Sequence, residues 1–174
     1  MKGIRPLTPE DGPRLKELIT GNWGSTRMAS GGRVFDILAH PGFVALSEGA
    51  WVGYAAYEVR EREMEISALD TITPGTGAGS ALLAACIKVG LDEGLERLML
   101  VTTNDNTAAL RFYQRRGLVL VALRAGAVDL ARRTLKPEIS LIGNDGIPIR
   151  DELELELPRA EWPALIERYS WPTS

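Results

Sequence analysis

The chain of 174 residues holds one cysteine, Cys86, and one histidine, His40. One thiol cannot close an internal disulfide. One thiol and one imidazole cannot supply the nitrogen and sulfur ligands of a tetrahedral zinc site, so no metal is expected. No apolar run approaches the ~20 residues that a membrane-crossing helix needs, so no membrane partner is expected either. Basic charge does not dominate: 20 Lys and Arg against 23 Asp and Glu leave a net charge of −3. That balance argues against a nucleic-acid partner held by phosphate neutralisation. No apolar core follows the opening Met1 to Pro6, so no secretory signal is read there, and with the lone thiol this points to the cytoplasm. The length suits a single domain with a substantial core, read as residues 1–157, followed by a tail, 158–174.

What is present centres on Pro74-Gly75-Thr76-Gly77-Ala78-Gly79-Ser80. A short apolar run, Ile66 to Ile72, leads in, and a dense apolar segment, Ala81 to Leu91, leads out. This reads as strand, glycine turn, helix start. Glycine admits positive φ and close approach of a ligand. The first N–H groups of a helix lack internal partners and lie at the positive end of its dipole, which suits a phosphate. Spacing rules out two familiar phosphate loops. A P-loop needs Lys after its last glycine, and Ser80 stands there. The dinucleotide fingerprint fails from either glycine, since its last position falls on Ser80 or Leu82. A glycine turn with no ligand stays open on this stretch alone.

A second stretch, Leu98 to Leu118, reads as strand, capped helix and glycine stop. Gly75-x-Gly77-x-Gly79-Ser80-x-Leu82-Leu83, followed by Asn106-x-x-Ala109-x-x-Phe112-Tyr113-x-x-x-Gly117, resembles the GNAT superfamily of acetyl-CoA-dependent N-acetyltransferases in spacing and order. The resemblance covers roughly residues 3 to 122. One departure is Pro74, where the family usually carries Arg or Gln.

Taken in order, Ile4 to Leu7 reads as a strand, and Thr8, Pro9 and Asp11 as a helix start whose helix stops at Gly21. Residues 21–34 read as a loop, either a surface loop or an acceptor lid. Val34 to Leu38 reads as a helical turn. Phe43–Glu48, Trp51–Val59 and Met64–Ile72 are three consecutive strands. Helices follow at 80–91 and 106–116, with strands at 96–102 and 118–123. A short helix at 127–133 lies in a long insertion, 124–150. Asp151 to Leu157 alternates strictly, a strand with one wet face whose carboxylates face solvent. A short helix is read in the tail. The pattern indicates an α+β fold: a mixed, mostly antiparallel central sheet flanked by helices.

The resemblance implies direct acetyl transfer from acetyl-CoA to a primary amine of a small molecule or peptide. The backbone of Gly75, Thr76, Gly77, Ala78, Gly79 and Ser80 would hold the pyrophosphate. The strand edge at Leu69, Asp70 and Thr71 would pair with the pantetheine arm. Tyr113 would be the general acid for the leaving thiolate, and Glu65 the base, with Asp70 or a water as alternatives. Asn106 would bond the cofactor arm or cap its helix. The family also makes a homodimer an admissible assembly. His40 reads as a turn residue and Cys86 as core, so no acyl-enzyme is expected. The insertion's Arg124, Arg132, Arg133, Lys136 and Arg150 either receive an anionic acceptor or form a solvated charged loop. Two other functions stay open: a non-catalytic coenzyme A or acyl-CoA sensor, and a nucleotide-phosphate binder using the same turn.

Overall fold

Alternating apolar residues make the strands, and each one has a partner that fixes its register. The computed structural model describes residues 1–173. In chain order the elements are β1 (Lys2–Pro6), α1 (Gly12–Trp23), β2 (Arg27–Ser30), β3 (Arg33–Asp36), β4 (Gly42–Ser47), β5 (Ala50–Arg60), β6 (Glu63–Thr71), α2 (Ala78–Asp92), β7 (Arg97–Thr103), α3 (Thr107–Gln114), β8 (Val119–Arg124), α4 (Ala127–Thr134), β9 (Glu152–Glu156) and α5 (Trp162–Tyr169). A seven-stranded sheet runs β1-β4-β5-β6-β7-β9-β8, and β2 pairs with β3 as a separate ribbon. Every pairing in the large sheet is antiparallel except β6 with β7, as the intervening helix requires. The expected mixed sheet flanked by helices is the observed one.

The helix start at Thr8 is as expected: Asp11 closes a capping box, its carboxylate accepting the Thr8 N–H at 2.8 Å, in a 3-10 turn, Pro9–Asp11, that runs into α1. Other local readings need correction. The α-helix then runs past exposed Gly21 and stops at Gly24, which has φ +74°. Residues 27–36 are a hairpin, not a loop, and the helical turn read at 34–38 starts only at Ile37, as a 3-10 turn to Ala39. Gly31 and Gly32, with φ of +57° and +74°, make the hairpin's turn. Both central residues at positive φ match the twist of the flanking strands.

Two cores form, one on each face of the sheet. Met64, Ile66, Leu82, Leu83, Ile87, Leu98, Leu155 and Trp162 fill the layer under α2 and α5. Leu15, Ile19, Ile37, Tyr54, Ala56 and Ala68 fill the layer under α1. The C-terminal stretch enters the first layer. Trp162 is fully buried, its indole N–H donates to the Leu157 carbonyl at 3.0 Å, and its ring closes on Gly90 of α2.

One irregularity positions everything that follows. In β6, Ala68 pairs with Ala56 and Ile66 with Tyr57, so Ser67 is an extra, bulged residue. A bulge bends the strand and shifts its later side chains to the other face. Thus Ile66 packs under α2, whereas Ala68 packs under α1. The β6–β7 pairing covers only Glu63–Glu65 against Arg97–Met99. Beyond Glu65 the two strands diverge and leave a split in the sheet.

Candidate active site

The turn at the mouth of the split is built by its glycines. Gly75 has φ +80° and Gly77 φ +88°, values that side-chain-bearing residues avoid. Gly77 is the N-cap of α2 and accepts the Ala81 N–H at 3.1 Å. The Thr76 hydroxyl donates to the Thr73 carbonyl at 3.0 Å and receives the Ala78 N–H at 3.3 Å. Among the described residues, no protein acceptor takes the N–H of Gly75, Thr76, Gly77, Gly79 or Ser80. Gly79 is needed for a second reason: a Cβ there would lie 3.0 Å from the Phe112 ring and 3.2 Å from the Thr71 methyl. Phe112 is backed by Arg116, whose guanidinium stacks on it at 3.6 Å and donates to the Ser80 hydroxyl at 2.9 and 2.7 Å. Arg111, Arg115, Arg116 and Arg168 line a shallow basic pocket beside this first turn.

Inward, the split opens into a chamber of about 770 Å³. Its floor includes Ser67, Leu69, Thr103, Asn106 and Tyr113, and α1, the hairpin and the insertion wall it in. The insertion is held by Asp105, which accepts from Asn144 N–H at 3.0 Å, Asn144 Nδ2 at 2.8 Å and the Thr103 hydroxyl at 2.5 Å. Arg132 ties the loop together through the carbonyls of Ile139, Ser140 and Ile149.

Of the expected site residues, Glu65, Leu69, Asn106 and Tyr113 line this one chamber. Tyr113 is 7% exposed and packs edge-on against Phe112 with centroids 5.1 Å apart. Burial pushes its phenol up, so it stays protonated. Asn106 caps α3, its side-chain oxygen accepting the Ala109 N–H at 3.2 Å. The structure does not bring Asp70 in. The bulge turns it toward α1, where Asn22 donates to one carboxylate oxygen and the Thr71 N–H occupies the other at 2.8 Å. Thr71 therefore has no free N–H for a pantetheine arm.

Glu65 reaches the chamber already engaged. Its Oε2 accepts from Arg33 at 3.0 Å and Arg60 at 2.9 Å. His40 is more than a turn residue: Nδ1 lies 2.8 Å from the Ser67 hydroxyl, and burial lowers its pKa. The insertion's cations are spent on the protein itself. Arg124 pairs with Glu154, Arg132 with Asp129, Arg150 with Asp151, and Lys136 donates to the Arg27 carbonyl at 2.6 Å. Arg133 is exposed and does not line the chamber. The reading of an anion-receiving loop is not supported.

The largest correction concerns β9. The face read as wet is closed over: Glu152 and Glu154 are buried. Glu154 is paired to Arg97 and Arg124. Glu152 lines the chamber, and its only hydrogen-bond donor among the described residues is the Gly31 N–H, at 3.2 and 3.3 Å to its two oxygens. Burial holds its carboxyl above the usual glutamate range. Strand alternation shows which residues share a face, not what covers it.

The sheet is thus split between its two parallel strands, with a helix start beside the split and a walled chamber within it. The chain belongs to the acetyltransferase (GNAT) family, whose model matches residues 13–118. It is 37% identical over 140 residues to the uncharacterized protein YdhI of Bacillus subtilis (strain 168), covering 80% of this chain and 87% of that one. It is similar in fold to a GNAT family acetyltransferase from Elizabethkingia anophelis with acetyl-CoA bound (TM-score 0.64, 20% identity, 90% of this chain and 97% of that one). The ribosomal-protein-S18-alanine N-acetyltransferase from Escherichia coli gives a TM-score of 0.61 at 18% identity, over 91% and 94% of the two chains. At such identities these structures speak for the fold alone. No helix among the described residues is long and apolar enough to cross a membrane.

Proposed function

We propose that this protein moves an acetyl group from acetyl-CoA directly to a primary amine. The observation that carries the reading is the split between β6 and β7, with the glycine turn following β6 and the chamber at Tyr113 lined by both strands beyond their last pairing. Unpartnered N–H groups of Gly75 to Gly77, Gly79 and Ser80 suit a pyrophosphate. The four arginines beside the turn supply positive charge on a chain that is acidic overall. The free edge of β6 around Leu69 suits an extended arm that pairs as an added strand. Beyond it, Tyr113 donates its proton to the sulfur as the carbon–sulfur bond breaks. The same apolar surroundings that keep the phenol neutral also disfavour a bare thiolate, so the transfer goes to the sulfur. Cys86, a buried thiol, takes no part. We take the compartment to be the cytoplasm.

Thermal stability measured side by side with acetyl-CoA, coenzyme A, ATP and NADH tests this. Ligand at a hundred times its dissociation constant adds about 2.7 kcal/mol. Stabilisation by the two coenzyme A species alone is expected. No shift with either, or a larger shift with ATP, would sink it. Acetyl transfer that depends on Tyr113 separates an enzyme from a sensor.

A further inference from the structure

Four carboxylates line the chamber: Glu65, Asp105, Glu138 and Glu152. Glu65 carries two guanidiniums and Asp105 carries three donors. Glu138 is exposed and solvated. Glu152 alone combines burial, at 4% exposure, with open lone pairs, since one long, shared N–H leaves most of a carboxylate's roughly four acceptor sites free. Its neighbours do not offset its burial. Arg124 on β8, opposite it in register, attracts it through space but turns its guanidinium to Glu154. Glu65 on β6 and Glu154 on β9 repel it more weakly than Arg124 attracts it, and the hairpin offers only the Gly31 amide. Lys136 of the insertion shares the chamber but is tied to the Arg27 carbonyl. A buried, under-bonded carboxylate is destabilised until a cation or a proton arrives.

We infer that Glu152 is the proton acceptor of the transfer, and that the acceptor enters as an alkylammonium with an apolar body. The inference rests on the acetyl-CoA reading above. Met28, Phe35, Ile139 and Ile142 give the chamber the apolar wall such a body needs. An acceptor with a carboxylate beside its amine would meet repulsion from Glu152, which no cation pairs directly. The ammonium passes one proton to Glu152, and the freed amine attacks the thioester carbonyl carbon and forms the new C–N bond. The tetrahedral adduct loses its second N–H proton as the C–S bond breaks, and the sulfur leaves protonated by Tyr113. That second proton restores Tyr113, and Glu152 releases the first to solvent. The products are the acetamide, coenzyme A thiol and one proton.

Phenethylamine and phenylalanine form a probe pair that differs only by the carboxylate. The wild type acetylates phenethylamine at least tenfold faster. Glu152→Gln, which keeps the shape of the side chain, lowers kcat for phenethylamine at pH 7 by about 10²-fold or more. Its residual rate climbs tenfold per pH unit, because solution must then supply the free amine. Its calorimetric affinity for coenzyme A stays within twofold, which shows that the variant is folded. An unchanged rate in that variant, pH profiles parallel to the wild type, or a preference for phenylalanine would overturn the proposal. Carbon-13 NMR of the glutamate carboxyls in the coenzyme A complex reads the group without turnover. One resonance, absent from Glu152→Gln, should titrate above the others and shift when phenethylamine is added. A Glu152 resonance that titrates with the surface glutamates, or ignores phenethylamine, overturns the proposal. Failure of the wild type to bind coenzyme A strikes instead the reading on which the proposal rests.

Discussion

Replacing Gly79 by Ala should destabilise the protein, and replacing Gly21 by Ala should do the reverse. Both glycines lie inside helices at negative φ, so alanine gains about 0.8–1 kcal/mol of helix propensity at each. At Gly21 a Cβ meets nothing within 4 Å, and the gain stands alone. At Gly79 the Cβ arrives 3.0 and 3.1 Å from two Phe112 ring atoms and 3.2 Å from the Thr71 methyl. The ring cannot retreat freely. Arg116 lies 3.6 Å behind it, fastened to the Ser80 hydroxyl and to the Phe112 carbonyl at 2.7 Å. Overpacking of this kind costs about 1–3 kcal/mol, which exceeds the propensity gain. Gly79→Ala should therefore lose up to about 2 kcal/mol net, while Gly21→Ala gains about 1 kcal/mol. Urea unfolding at constant m-value measures both. Calorimetry with coenzyme A should show at least a tenfold affinity loss for Gly79→Ala and none for Gly21→Ala, since only the first disturbs the turn. Equal stabilisation by the two substitutions would refute the close packing of α2 on Phe112, and unchanged affinity would refute the turn as the phosphate site.

Glu152→Gln should raise Tm at pH 8. The carboxyl is held above its ordinary value, so its contribution is intact below the unfolded pKa and lost as pH rises through the folded one. The Tm gap to the wild type should therefore widen from about pH 4 upward; scanning calorimetry giving equal Tm at pH 8 would contradict it. Tyr113→Phe should lower kcat by about 10²-fold with the KM for acetyl-CoA little changed; undiminished turnover removes Tyr113 from the chemistry. Asp105→Ala strips the support of Asn144 and should cost about 3 kcal/mol in urea unfolding, raising the KM for the amine while sparing coenzyme A affinity. Cys86, whose thiol burial pushes up to about 12, should react with a thiol reagent only through global opening, so a labelling rate insensitive to urea would show the core misplaced.

What could be read from the residues was whatever a single segment decides for itself. The glycine turn announces its positive φ and its helix start within a few residues, and α2 and α3 follow from their apolar patterns and from the Asn106 cap. The hairpin at 27–36 was missed although it carries a local mark: Met28 and Phe35 face each other across Gly31-Gly32, a two-glycine turn signal. The bulge at Ser67 leaves no such mark, because an extra residue looks like any other until its partner strand is counted against it.

The carboxylates illustrate the limit most clearly. Glu65, Asp70 and Glu152 each stand in a strand, and nothing local separates them. Their roles come from other segments: Arg33 and, across the β5–β6 turn, Arg60 close on Glu65, Asn22 turns to Asp70, and Gly31 reaches Glu152 across 121 positions of sequence. The first meeting pairs the charge, and the second, with the Thr71 N–H, gives each Asp70 oxygen a donor. The third leaves Glu152 wanting a cation, inside the chamber that the split opens into. A base is thus not a residue type at a motif position here. It is the carboxylate that the folded chain has buried and left with too few partners.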